Sequence, residues 1–321
     1  MMKKIEKMRN DTRLLTVLGP TASGKTRLAV GLARELNGAI ISADSRQVYR
    51  GMDIGTGKDL GEYGEIPRFL IDIWDPGEVF HVAAFGEEFL IALNQIRRQG
   101  KRPVLCGGTG LYIQAALQGL PFAAVPVDLQ LRNSLETLNT EDLLAEFHKY
   151  PSEYSPLADT STRKRLIRAI EISRYLMEHG STSALRDLNE GASGIPGTAL
   201  SRSPVIGIRL SVEERRARIT RRLIQRLDAG LVDEVRGLLN QGVSSEQLLF
   251  YGLEYKFAAL HLQGELDEKQ FFTRLNSAIH QFAKRQMTFF RKLEKDGFRI
   301  HWIDGTMPFS DQVAAALSLV D

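Results

Sequence analysis

A single cysteine, Cys106, in 321 residues excludes an internal disulfide framework and points to a reducing compartment. No run of about 18 apolar residues occurs, so no membrane-spanning helix is expected. The opening MMKKIEKMRNDTR is basic but holds no apolar stretch before the first strand, which argues against a secretory signal. These absences lead to the expectation of a cytoplasmic protein with no membrane partner. Internal repeats and low-complexity segments are also missing. Net charge is only +3, too small a bias to imply a nucleic-acid partner by itself.

What is present is unevenly spread. RRARITRRLIQR (215–226) carries six arginines in twelve residues and no acid, and TRKRLIR (162–168) and KRQMTFFRK (284–292) are two further basic runs. One such run is ordinarily a solvated helix face. Three of them, two with apolar or aromatic residues at helical spacing, point to a polyanionic partner. Apolar content of 43% and charged content of 25% are those of a globular chain, long enough for one main domain with an insertion or a smaller second one.

GPTASGKT (19–26) matches the P-loop pattern, and it lies between the apolar run 14–18 and a helical stretch, where that pattern has meaning. Gly19 and Gly24 allow a tight turn and close backbone approach. The amides of the loop, including those of Thr21, Ala22 and Ser23, and the helix N-terminus then point at a diphosphate. Lys25 adds a point charge, and the Thr26 hydroxyl is placed to hold Mg²⁺. Alone, such a loop predicts nucleotide binding, and in particular an ATP-binding NTPase or kinase with an acid at the end of a further strand. Asp72, closing FLID, and Asp44, closing AIISAD, are the two candidates. Each is equally suited to capping a helix or forming a turn.

Residues 14–18 and 39–43 read as strands flanking the P-loop helix, with further strands at 68–73, 102–108 and 202–210. The stretch 83–98 is amphipathic, with Phe85, Phe89, Ala92, Leu93 and Ile96 at helical spacing. Segments 131–138, 141–150 and 163–179 are helical by period, and 181–203, rich in Ser, Gly and Ala, reads as a mobile connection. From 212 to 294 the chain is almost all helical, broken near Gly242 and Gly252. The expected fold is α/β: a P-loop NTPase-like parallel-sheet core, its first part at 1–120. An inserted helical subdomain follows at 121–200, and 201–321 completes the core and adds C-terminal helices.

GPTASGKT, SADSRQVYRGMDIGTGKD (42–59), GGTGLY (107–112), RLIRAIEI (165–172), RITRRL (218–223), LDAGLVDEV (227–235) and FAKRQMTFFR (282–291) occur in order. Together they resemble the tRNA dimethylallyltransferase (tRNA isopentenyltransferase) family over nearly the whole chain. The resemblance implies that the P-loop holds the diphosphate of dimethylallyl diphosphate, and that the prenyl group passes to N6 of adenosine 37 beside a tRNA anticodon. It makes Asp44 the general base and makes Thr109 and Arg218 catalytic partners of the leaving diphosphate, with Arg222 one turn further along the same face. Mg²⁺, held through Thr26, is the implied cofactor. The base is flipped out of the anticodon loop into a channel. Ser45, Arg46 and Gln47 are then expected beside it, and Lys164, Arg165, Arg168, Lys284, Arg285 and Gln286 along the RNA, with Arg132 at a looser match. The resemblance thereby assigns RNA binding to the inserted helical subdomain at 121–200. The protein is expected to act as a monomer.

The sequence departs from the family pattern in four places. GTGKD (55–59) stands for the usual GTAKP, and Pro67-Arg68-Phe69 for a histidine pair. FYGLEYKF (250–257) replaces an IGY-type stretch that faces RNA, and PFAAVPVDLQLR is less acidic than the usual insertion. Other readings are prenylation of free AMP, ADP or ATP, a P-loop NTPase or small-molecule kinase, and a non-catalytic RNA-binding module. The helical insertion disfavours the first. The DSRQVY stretch and the lack of an arginine-rich lid disfavour the second. Retention of Lys25, Thr26, Asp44 and Thr109 disfavours the third.

Overall fold

The computed structural model describes residues 11–180, 200 and 203–320. Of the expected connection at 181–203, only Leu200 and Ser203 fall within the described residues. The described residues form two compact units, one of 11–118 with 200 and 203–320 and the other of 119–180.

Short apolar runs separated by helices dictate a parallel sheet. Strands β1 (Leu15–Leu18), β2 (Gly38–Ala43), β3 (Arg68–Phe69), β4 (Arg102–Gly107), β5 (Val205–Arg209) and β6 (Ile300–Asp304) form it in the order β3-β2-β4-β1-β5-β6. Every pairing is parallel. All residues of β1, β2 and β4 are buried, as befits strands covered on both faces. Helices α1 (Lys25–Glu35), α2 (Val82–Arg98) and α3 (Gly110–Gln118) follow β1, β3 and β4. On α2 the residues buried are Phe85, Phe89, Ala92, Leu93 and Ile96, the same five that the helical spacing picks out. The main core joins Leu28, Leu32 and Ala33 of α1 to Val17, Ile40, Val104, Ile206 and Ile303 of the sheet.

Two differences from the sequence expectation have physical causes. The strand expected over 68–73 ends after Phe69, because Leu70 and Asp72 take positive φ values of 62° and 56°. The chain there turns to bond 47–48 instead, with Asp72 N–H donating to the Gln47 carbonyl and Ile73 N–H to that of Val48. The last strand, β6, lies beyond the helical stretch and pairs with β5 at the sheet edge. Its half-polar IHWID carries no clear apolar run to announce it.

The second unit is helical: α4 (Leu129–Leu135), α5 (Thr140–His148) and α6 (Arg163–His179). Leu135, Leu143, Phe147, Leu166, Ile167 and Ile170 make its core. Inside it lies the carboxylate of Glu171, 3% exposed, which accepts from Arg132 Nε at 2.8 Å, Arg132 Nη2 at 2.7 Å and Asp128 N at 3.0 Å. Arg168 adds an ion pair at 3.3 Å and donates to the Val125 carbonyl at 2.6 Å. Glu171 therefore ties the segment before α4 to the middle of α6. Removing it leaves two half-buried guanidinium groups without their carboxylate and the Asp128 amide without its acceptor, which is destabilising. Glu171→Ala is expected to unfold this unit selectively, measured as loss of amide-exchange protection across 128–172 with the sheet still protected.

After the second unit, α7 (Val212–Asp228), α8 (Leu231–Asn240), α9 (Ser245–Phe250), α10 (Leu253–Leu262) and α11 (Glu268–Lys295) run in succession, and α12 (Phe309–Ser318) closes the chain. The longest, α11, begins with a reciprocal capping box between Asp267 and Gln270. Among the described residues no helix is long and apolar enough to cross a membrane.

Candidate functional site

The carboxyl end of β1 runs into the P-loop. Ala22 and Gly24 adopt left-handed conformations, φ 60° and 89°, which bend residues 19–26 around an open centre before α1 starts at Lys25. Lys25 Nζ reaches back to the Pro20 carbonyl at 3.5 Å. Burial holds the Lys25 ammonium below its usual range, and the nearby Asp44 carboxylate works against that shift. Beneath the loop, burial pushes the Cys106 thiol up to about 12, opposed by Lys25 and by a hydrogen bond from Thr26. The thiol is therefore an inert neighbour of Thr26 rather than a nucleophile.

Sheet register decides what stands next to this loop. Leu18 lies opposite Gly107, and Gly107 opposite Ala43, so β1, β4 and β2 end abreast. The next residues, Gly19, Gly108 and Asp44, therefore leave the sheet together. A Cβ on Gly107 would collide with the Ala43 carbonyl, so this closeness requires glycine. The Thr109 amide donates to the Ala43 carbonyl at 3.2 Å, and Thr109 Oγ1 accepts from the Ser45 amide at 3.2 Å. Having accepted, the hydroxyl retains its own proton for another oxygen. Asp44 Oδ1 accepts from the Arg46 amide at 3.0 Å, which leaves Oδ2 for a further partner.

α7 leaves β5 at the same edge and sends Arg218, Arg222 and Arg226, four residues apart, along one face. They join Lys25, Thr26, Arg27, Asp59 and Glu62 around a cavity of about 830 Å³. Arg218 bonds Glu214 at 2.5 Å and the Gly305 carbonyl at 3.0 Å. Arg222 pairs with Asp59 and donates to the Gly57 carbonyl at 3.3 Å. Arg226 pairs with Glu254 at 2.9 Å and donates to the Gly55 carbonyl. Asp44 and Thr109 stand at the adjoining strand ends rather than in the cavity wall.

The wall opposite α7 is the loop 53–59, which is fixed by residues distant in sequence. Glu234 accepts from the amides of Asp53 at 2.8 Å, Ile54 at 2.7 Å and Gly55 at 3.0 Å, and from the Tyr255 hydroxyl at 2.6 Å. Lys58 is fully buried, with its ammonium on the Tyr49 carbonyl at 2.6 Å, on Asp53 at 2.6 Å and on Asp72. Asp72, one of the two acids considered for Mg²⁺, is thus committed to an ion pair. Oxygen donors suited to Mg²⁺ do line the cavity: the Thr26 hydroxyl and the carboxylates of Asp59 and Glu62.

Several residues expected at a nucleic-acid surface lie inside. Gln47, 8% exposed, accepts from Ser42 Oγ at 2.9 Å and donates to the Gly57 carbonyl at 3.2 Å. Gln286 is likewise buried, with both ends of its amide occupied. Within FYGLEYKF, Tyr251 and Tyr255 are buried, while Phe250 and Lys256 are exposed, with the Arg46 guanidinium 4.7 Å from the Phe250 ring centre. Lys284 and Arg285 are exposed on α11. In the helical unit Lys164 and Arg165 are exposed, the latter paired with Asp159, whereas Arg132 and Arg168 are drawn onto Glu171. Sequence reasoning missed Glu234, Lys58, Arg226 and Asp59. Of these only Arg226 had a readable signal, the four-residue spacing from Arg222.

An all-parallel sheet with a P-loop sequence at its carboxyl edge and arginines facing it defines a P-loop-type α/β protein. Residues 47–293 match the family model described as IPP transferase, and residues 12–68 match one described as isopentenyl transferase. A "tRNA dimethylallyltransferase 2" of Pelobacter propionicus is 50% identical over 293 residues, covering 91% of this chain and 90% of that protein. One of Trichlorobacter lovleyi is 49% identical over 308 residues, 96% of each. The full-length tRNA isopentenylpyrophosphate transferase of Bacillus halodurans has the same fold at 30% identity and a TM-score of 0.68, covering 96% of this chain and 95% of that one. The chain belongs to the IPP transferase family, a family of prenyltransferases.

Glu234→Ala would leave three loop amides and the Tyr255 hydroxyl without an acceptor, at a cost of about 1–3 kcal/mol for each that stays buried. The expected result is a lower urea midpoint together with weaker binding of inorganic pyrophosphate, both read on the same preparation.

Proposed function

We propose that this chain transfers the dimethylallyl group of dimethylallyl diphosphate to N6 of adenosine 37 in a tRNA and releases diphosphate. The observation that carries this reading is the register of β1, β4 and β2, which sets the P-loop, Thr109 and Asp44 side by side at one edge. The donor's diphosphate occupies the P-loop, held by Lys25, Arg218, Arg222 and loop amides other than those of Thr21 and Ser23. Against the sequence expectation, those two donate to Gln286 and to the Pro20 carbonyl. The allylic C1–O bond breaks and the C1–N6 bond forms, leaving the electron pair on the departing diphosphate. Thr109 donates its hydroxyl proton in a hydrogen bond to the bridging oxygen as charge develops there. The exocyclic amine is a poor nucleophile because its lone pair is delocalised into the adenine ring. Asp44 orients it and takes its proton as the new bond forms. Mg²⁺, held through Thr26 with Asp59 or Glu62 and the diphosphate oxygens, would neutralise the leaving group's charge.

The acceptor side rests on positive charge. Lys284 and Arg285 on α11, and Lys164 and Arg165 on α6, are exposed cations suited to phosphate anchoring. The helical unit is assigned to RNA binding, and the protein to the cytoplasm as a monomer.

Prenylation of unmodified tRNA by the purified chain, with dimethylallyl diphosphate and Mg²⁺, tests the reading, and a tRNA left unmodified would sink it. Asp44→Ala is expected to lower the rate by about 10²–10⁴ with RNA affinity unchanged. Affinity for the anticodon stem-loop should fall with salt, with a log–log slope of about −0.7 per single-strand phosphate neutralised. A flat response would remove the exposed basic residues from the interface.

A further inference from the structure

α11 places residues of opposite character side by side. Lys284 and Arg285 are exposed, whereas Gln286 is buried, because successive helical positions point in different directions. Gln286 Oε1 accepts from the Thr21 amide at 2.9 Å, and Gln286 Nε2 donates to the Gly108 carbonyl at 2.9 Å. One planar amide therefore spans the P-loop and the GGTG turn. Its orientation is set by its partners, since an N–H needs the oxygen end and a carbonyl needs the nitrogen end. The surroundings are shaped around it. A Cβ on Gly108 would collide with Gln286 Nε2 and stand 3.2 Å from the Gly19 carbonyl. Thr109 is the next residue, so its hydroxyl moves with whatever holds Gly108.

We propose that Gln286 is a positioning residue that sets the separation between the P-loop and the Thr109 hydroxyl. This rests on the prenyl-transfer reading above. There the P-loop holds the diphosphate that leaves, and Thr109 must meet the oxygen on which charge develops. Displacing one of the two by about 1 Å costs on the order of 10²-fold in rate. Gln286 acts through both turns without touching substrate, and it does so from the helix whose neighbouring residues face outward.

The test compares Gln286→Met, which keeps length and removes both bonds, with Gln286→Glu. The glutamate accepts from Thr21 in either state but donates to the Gly108 carbonyl only when protonated. Leu275→Ala, a buried truncation on the same helix, is the control for lost stability. Steady-state rates, melting temperatures and pyrophosphate affinity by calorimetry are measured for each. Gln286→Met is expected to lower kcat by about 10²-fold, with KM for tRNA unchanged and pyrophosphate bound more weakly. Gln286→Glu should be poor at mildly alkaline pH and recover kcat as the pH is lowered. Leu275→Ala should keep kcat despite a lower melting temperature. An unchanged kcat in Gln286→Met, or an equal loss in Leu275→Ala, would overturn the proposal. A wild-type chain that leaves tRNA unmodified defeats the functional reading instead. Pyrophosphate binding then decides the role of Gln286 alone, and equal affinity of wild type and Gln286→Met would overturn it.

Discussion

The chemistry this protein can perform depends on three strand ends being held within one or two residues of each other. In a parallel sheet every strand delivers its carboxyl end to the same edge, so loops far apart in sequence become neighbours without further devices. Here the register sharpens that general rule: Leu18, Gly107 and Ala43 end level, and the absence of a side chain on Gly107 lets β4 close against the Ala43 carbonyl. The hydrogen bonds of Thr109 to Ala43 and Ser45 then lock the GGTG turn to the segment that carries Asp44. A side chain at Gly107 would push β4 from β2 and separate the carboxylate from the hydroxyl.

Charge at this edge is arranged in two tiers. The outer tier consists of ion pairs with solvent access. Arg218 with Glu214 has side chains 27% and 38% exposed, and Arg222 with Asp59 27% and 42%. Pairs as wet as these are worth little, so an anion entering the cavity would displace the carboxylates at small cost. The inner tier is different. Lys58 has no exposure and three oxygen partners, and moving it would strand an ammonium in the interior. The cavity thus offers cations on α7 that can change partners, beside a loop whose anchors cannot.

Position along the chain was more legible than orientation. The P-loop, Asp44 and Thr109 sit at strand ends that apolar runs and glycines mark plainly, and the buried face of α2 follows from its period. Residues whose environment is made by distant segments were not readable. Gln286 and Thr21 are 265 positions apart, and Glu234 and Ile54 are 180 apart, so nothing near either residue signals a buried polar partner. The same blindness placed Gln47 and Gln286 at an RNA surface. A basic run likewise does not reveal which cations are already spoken for. Glu171 claims Arg132 and Arg168 because it is itself buried, a property its sequence neighbourhood does not display. β3 was cut short by backbone turning at Leu70 and Asp72, residues with no particular left-handed preference in the case of leucine.

The unusual GTGKD stretch acquires a physical sense from these contacts. Backbone groups of residues 53–57 are held from both polar sides. Glu234 takes the amides, while Arg222, Arg226 and Gln47 take the carbonyls of Gly55 and Gly57. Gly57 has φ 62°, and any Cβ there would collide with the Arg226 guanidinium, so the glycine lets two arginines approach the main chain. Asp59 stands where the resemblance places proline, and it supplies a carboxylate to Arg222 that proline could not. The substitution of GTGKD for GTAKP therefore alters the packing of the arginine helix against this loop, while Lys58, shared by both patterns, keeps its buried role. DSRQVYRGMDIGTGKD, RITRRL, LDAGLVDEV and FYGLEYKF, separate in sequence, are joined by hydrogen bonds and ion pairs at and behind the cavity, and a change in any of them is felt by the others.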